Sequence, residues 1–331
     1  MTRKTFILPL LLFLFFAFSP VSAASAQKTI VFSNNQWDSQ LFHNAVAKFI
    51  VENGFDGYRV KYSTGSSTLN WQAMIIGDVD LDIESWTENV ATYQRDVSEK
   101  TIIPLGVLVP DSAQGFYVPG YVIKGDPKRG IKAAAPTLRT VADLKKYASV
   151  FKDPEKPSRG RIYGAIPGWM IDQIMFEKYK HYKLDENYNY FRVGSEAVLF
   201  ASIASAYNLG EPWVGYCYEP TWVTGDLDLI LLEDAPYNPK GYKEGRTEIP
   251  KQPLRIVSSS YFSKKAPDLV PFFSKYQTGS KLVSKALARI KESGDSHEKV
   301  AIWFLKNNDA LLDQWVAPEN AKKVREALNK I

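Results

Sequence analysis

The chain has 331 residues, 45% hydrophobic and 23% charged, with 41 lysines and arginines against 36 acids, three histidines and one cysteine. The lone Cys217 excludes an internal disulfide, so stability must come from core burial. The formal charge of +5 is scattered in short clusters broken by acids, which excludes a basic stripe tracking a nucleic-acid backbone.

Arg3 and Lys4 precede an apolar run from Phe6 to Phe18, and small residues fill Ser22 to Ala26. Charge, apolar core and an A-x-A site in that order are the layout of a secretory signal peptide, residues 1–26. Cleavage is expected after Ala26, with Ala23 as the second position. The run is too short, and too promptly followed by small residues, for a membrane anchor. No cysteine lies near the cut, which argues against lipid attachment there. Loss of Arg3 and Lys4 lowers the charge from +5 to +3, since residues 1–26 hold no acid. The mature chain is expected to be exported, and periplasmic in a host with two membranes. About 300 residues then remain, enough for two lobes of ordinary domain size.

Thr29 to Phe32 read as a short buried strand. From Gln40 to Asn53, apolar Leu41, Phe42, Ala45, Val46, Phe49 and Ile50 recur at helical spacing, and Gly54 offers a stop. "YRVKYS" alternates as a strand, "TLNWQAMIIG" reads as a helix ended by Gly77, and "DVDLDIESW" as a strand ending at Trp86. Strand, helix, strand, helix, strand is an α/β lobe with a largely parallel sheet, in which ligands sit beyond the carboxyl ends of the strands. "TIIPLGVLVPDSAQGFYVPGYVI" reads as strands leaving this lobe. A second α/β lobe follows: a helix capped by Thr140 with Asp143, the loop Lys152 to Arg161, the strand "RIYGAI", the helix "WMIDQIMFEKYKHY" and the strand "YNYFRVG". Ser195 then caps a helix ended by Gly210, and "PWVGYCYEP" is a strand. "LDLILLED" reads as the strand returning to the first lobe, 236–252 as a loop, and the rest as a strand and about three helices. This assigns 27–117 and 236–331 to lobe 1 and 118–235 to lobe 2, with crossovers near 113–120 and 227–236.

Common catalytic signatures are missing. His43, His181 and His297 lack metal-ligand spacing, no G-x-S-x-G or G-x-G-x-x-G follows a strand, and "GDPKRGIK" has Ile131 where a phosphate loop needs lysine. The acids of "DVDLDIE" alternate and are expected to mark the solvent-facing side of their strand, since no calcium-loop spacing accompanies them. No metal and no cofactor is expected.

Aromatic residues are plentiful near the expected loop mouths: Trp37, Trp86, Tyr117, Trp169, Trp213, Tyr218 and Trp222. Trp71, Trp303 and Trp315 lie on helical faces and are assigned to packing. A quaternary ammonium has no N–H to donate, so aromatic faces are its natural partners, at about 0.5–2 kcal/mol per ring. Pro167-Gly168-Trp169 opens a helix whose first amides, from about Met170 to Gln173, are free to meet an anion. One spot can therefore take both ends of a zwitterion.

The segments "NNQWDS", "GDVDLDIESW", "SAQGFYVPGYVI", "IPGWMIDQ", "YEPTWV" with "LDLILLED", and "LRIVSSSYFSKKAPDL", in that order behind a signal peptide, carry a resemblance. The sequence resembles the periplasmic substrate-binding proteins of ABC importers for glycine betaine, proline betaine, choline and carnitine (OpuAC-like) over essentially the whole mature chain. The resemblance implies a two-lobed, type II periplasmic binding protein fold with the ligand between the lobes. It implies an aromatic cage of Trp86, Trp169 and Tyr218, choline-type positions at Trp37 and Tyr117, and carboxylate binding by the amides of Met170 and Ile171. There are departures. Betaine binders often have tryptophan where Tyr218 stands, and Thr221 and Val223 occupy a neighbourhood where some members have a carboxylate-binding histidine. Glu219 adds a negative charge nearby. Facing the cleft, it would favour a ligand without a carboxylate; a surface position is the other option.

The function expected is a non-enzymatic receptor that closes on a small quaternary amine and delivers it to an inner-membrane ABC permease. It is expected to be a monomer that binds no nucleic acid. The same fold serving another solute, such as an amino acid held by Arg161, Arg192 or Arg255, is the first rival. An exported hydrolase using Glu84, Glu88 or Glu219 is the second.

Overall fold

The computed structural model describes Met1 and residues 27–110 and 112–331. The expected signal peptide falls on residues outside these.

Among the described residues, ten strands build two five-stranded mixed sheets. The first half follows the βαβαβ order read from the sequence: β1 (Lys28–Asn34), α1 (Asp38–Gly54), β2 (Tyr58–Thr64), α2 (Ser67–Ile76) and β3 (Leu81–Ser85). Gly77 takes a left-handed conformation (φ 90°) and ends α2, as its lack of Cβ permits. Gly54 is instead the last residue of α1, and its Cα approaches Val324 so closely that an added Cβ would sit 3.0 Å from that side chain.

The first sheet runs β2-β1-β3-β10-β4, with β4 at Ile102–Val109 and β10 at Leu254–Ser259. β1 pairs in parallel with β2 and β3, while β10 is antiparallel to β3 and β4. The second sheet runs β7-β6-β8-β5-β9, from β5 (Ala113–Pro119), β6 (Gly160–Tyr163), β7 (Tyr188–Phe191), β8 (Gly215–Glu219) and β9 (Leu229–Leu231). Here β5 is antiparallel to β8 and β9. The chain thus changes sheet between Val109 and Ala113, and again between Leu231 and Leu254. The "LDLILLED" stretch, expected as a return strand to the first lobe, closes the edge of the second sheet.

Each sheet has its own apolar core. Phe32, Phe42, Val46, Ile83, Ile256, Phe273 and Trp315 belong to the first, and Phe116, Ile162, Leu199, Tyr216 and Val223 to the second. Trp37 crosses this division: the first lobe carries it, but it packs into the second lobe's cluster. Trp86 and Trp222 touch both clusters.

Candidate functional site

The site lies where β1 and β3 of the first lobe end, opposite the end of β8 and the start of the helix Met170–His181 in the second. Trp37 is delivered by a tight turn. Gln36 is left-handed (φ 67°), and its amide donates to Asn34 Oδ1 at 3.0 Å. Trp86 follows β3 directly and opens a short 3-10 turn, Thr87–Asn89. Trp169 follows Gly168, whose φ of 90° makes glycine the fitting residue there.

Both Trp37 and Trp169 stand at helix N-caps without a capping side chain of their own. The caps come from the opposite lobe. Glu196 Oε2, at the start of the second-lobe helix Glu196–Leu209, accepts from the Asp38 amide at 2.7 Å. Ser67 Oγ of α2 accepts from the Met170 amide at 3.2 Å. Each lobe thus satisfies an orphan donor of the other. A further contact runs from Thr68 Oγ1 to the Gly168 carbonyl at 3.3 Å.

The rings meet edge to face. Trp37 and Trp169 have centroids 5.5 Å apart at 79°, Trp169 and Tyr218 6.0 Å at 79°, and Tyr218 and Trp86 5.5 Å at 89°. Successive rings at near right angles form the walls of a box. Tyr216 adds a wall, 6.4 Å from Trp169 and stacked at 29° on Tyr218. The cavity they share is also lined by Asp82, Ser67, Asn89, Met170 and Ile171, with no lysine, arginine or histidine among the lining residues.

Six of the eight residues expected from the sequence, Trp37, Trp86, Trp169, Met170, Ile171 and Tyr218, line this cavity. Tyr117 and Glu219 do not, and strand register gives the reason. In the β5/β8 pair, Phe116 lies opposite Tyr216 and Gln114 opposite Tyr218, while Tyr117 lies opposite Gly215 and Ala113 opposite Glu219. Opposed residues share a face and neighbours alternate, so Tyr117 and Glu219 stand on the far face of the sheet. There Tyr117 Oη donates to Glu219 Oε1 at 3.3 Å. Trp213 stacks on Tyr163, away from the box. Trp71, expected to serve packing, does pack beneath α2 and also lines the cavity; its Nε1 donates to Asp96 at 2.9 Å. The Met170 amide, expected to be free for a carboxylate, is engaged by Ser67.

Three of the four acids of "DVDLDIE" depart most from expectation, while Asp78 is exposed. Asp80, Asp82 and Glu84 are all buried, Glu84 completely. All five residues of β3 are buried, so neither of its faces meets solvent. Asp82 accepts from Gln40 Nε2 at 2.6 Å. A single oxygen of Glu84, Oε1, accepts from Ser39 Oγ at 2.8 Å, Trp37 Nε1 at 2.9 Å and Trp86 Nε1 at 3.3 Å. Burial pushes the Glu84 carboxyl up to about 8, against the pull of those three donors. Asp82 is likewise raised by burial. Glu196, which also accepts from Tyr218 Oη, is raised well above the usual carboxylate range by burial and by the nearby Asp38 charge.

These features place a cavity walled by aromatic rings between the two lobes of an α/β fold, the architecture of a solute-binding protein. The chain belongs to the family of the substrate binding domain of the ABC-type glycine betaine transport system, matched over residues 28–307. It is 24% identical over 283 residues to the glycine betaine/proline betaine-binding periplasmic protein of Escherichia coli (strain K12), covering 78% of this chain and 81% of that one. It is 22% identical over 297 residues to the trimethylamine N-oxide-binding protein of Pelagibacter ubique (strain HTCC1062), covering 88% and 91%. Its fold is similar to the glycine betaine/L-proline-binding protein of an ABC transporter from Borrelia burgdorferi, with a TM-score of 0.72 and 18% identity over 90% of this chain and 100% of that one.

Proposed function

We propose that the protein is a periplasmic receptor, exported by a cleaved signal peptide, that holds a methylated quaternary amine in the aromatic box and hands it as a monomer to an inner-membrane permease. One observation carries the reading: indole and phenol rings from both lobes wall a cavity whose lining includes an aspartate and no cationic side chain. A permanently cationic, methyl-capped nitrogen is the guest such walls attract without a hydrogen bond.

An amino acid is the poorer fit. Arg161 pairs with Asp153 and Glu155, Arg192 with Asp172, and none of these arginines, nor Arg255, lines the box. Calorimetric titration with choline, glycine betaine, proline betaine, carnitine, trimethylamine N-oxide and a panel of amino acids tests the proposal. Binding to at least one methylated amine and to no amino acid is expected. Binding confined to amino acids overturns it.

A further inference from the structure

Glu84 has a position that cage geometry alone does not require. It sits behind the box rather than in its wall, yet it ties together the two indoles of the first lobe through their ring N–H groups. Three donors converge on Oε1, while Oε2 is buried with no hydrogen-bond partner among the described residues. A buried carboxyl left half-satisfied, with no cation beside it, is costly in a purely structural role.

We propose that Glu84 is the counter-charge of the bound cation. This rests on the quaternary-amine reading above. Hydrogen-bonded to both ring nitrogens, the ionised carboxylate makes the two indoles more electron-rich on the faces they turn to the ligand. It also attracts the cation directly through a low-dielectric wall. Empty, the site holds Glu84 protonated; loaded, it holds Glu84 ionised, and the proton leaves to solvent as the cation enters.

The titratable groups facing Glu84 are consistent with this exchange. On its own strand stands Asp82. From the second lobe come Glu196 and Tyr218, and from the first-lobe core Tyr276, whose Oη meets His43 Nδ1 at 2.9 Å. His43 is completely buried and held down to about 3, so it stays neutral. None of these groups is a cation near neutrality, so the incoming ligand is the positive charge that ionises Glu84.

The sign follows from linkage. A ligand that prefers the ionised carboxylate lowers its pKa and binds more tightly as pH rises. A nearby opposite charge lowers a carboxyl by about one unit or more. Starting from about 8, a one-unit drop gives roughly a fivefold gain in affinity between pH 6 and 8, with release of about half a proton near pH 7.5.

The experiment is calorimetric titration of the full mature chain with tetramethylammonium, choline and glycine betaine, in buffers of different ionisation enthalpy, across pH 6 to 8. Glu84→Gln keeps an acceptor for the indoles and removes the charge; Glu196→Gln is the control for a second raised carboxyl, and release from Asp82 would survive Glu84→Gln. Proton release by the wild type, lost in Glu84→Gln and kept in Glu196→Gln, is the expected result, with the variant's affinity flat in pH. Binding of these probes without proton release, or release that survives Glu84→Gln, overturns the counter-charge while leaving the quaternary-amine reading intact. No binding of any probe overturns both.

Discussion

Replacing Trp169 by alanine tests the box most directly. The residue stands at a helix N-cap but contributes no capping bond, so the helix Met170–His181 does not depend on its side chain to start. Two energies are lost. The ligand's cation loses one ring face, about 0.5–2 kcal/mol. The closed cleft loses the edge-to-face contact with Trp37, 5.5 Å away across the lobes, worth about 0.5–1.5 kcal/mol. The sum is about 1–3.5 kcal/mol, centred on a weakening of tenfold or more at 1.4 kcal/mol per decade. Trp86→Ala removes a face from the opposite wall, together with the contact to Tyr218 at 5.5 Å, and is expected to act to a similar degree. Titration calorimetry reads the affinity, and circular dichroism with a melting curve checks that each variant folds. Folded Trp86→Ala and Trp169→Ala variants that bind methylated amines as the wild type does would refute the cage.

Gly168→Ala forces a side chain into a left-handed turn, and its Cβ would meet Ser66 of the first lobe at 3.1 Å. The conformational cost, about 1–2 kcal/mol, falls on stability, while the contact with Ser66 opposes closure, so binding weakens several-fold and small-angle scattering of the ligand-saturated variant shows a more open particle. Tyr216→Ala and Tyr117→Phe form a contrasting pair: loss of a cage wall costs several-fold in affinity, whereas the far-face tyrosine, buried but outside the cavity lining, changes it by less than about twofold. Glu84 also ties stability to pH. Its folded pKa of about 8 stands above the reference value of 4.5, so the folded state holds the proton more tightly than the unfolded chain. The stability this gives is present below the reference value and is lost as pH rises toward 8. Melting temperatures of the ligand-free protein therefore fall between pH 5 and 8, and fall less in Glu84→Gln.

Much of this was readable from local rules. Helical spacing, the Ser195 cap, Gly77 and Gly210 marked elements that the structure contains. Trp37, Trp86 and Trp169 were findable because each breaks the period of its element and stands just beyond a strand or turn. Tyr216 carries a sequence signal of its own: in "GYCYE" it is two residues from Tyr218, and period-two alternation puts both rings on one face. The same alternation, run across the β5/β8 register, removes Tyr117 and Glu219, but register is a property of two strands about 100 residues apart in the chain. The buried acids were illegible for a related reason. Alternating polar residues mimic an exposed face, and two of the three donors to Glu84, Trp37 and Ser39, lie 47 and 45 residues upstream.

The exchanged helix caps have a consequence for how the receptor is handled at the membrane. Separating the lobes strips the Asp38 and Met170 amides of their acceptors at once, and water must take over both. A transporter that prises the halves apart to free the cargo therefore works against two interlobe bonds as well as the contacts of the cargo itself. Deuterium uptake at those two amides would follow release step by step, whichever solute is aboard.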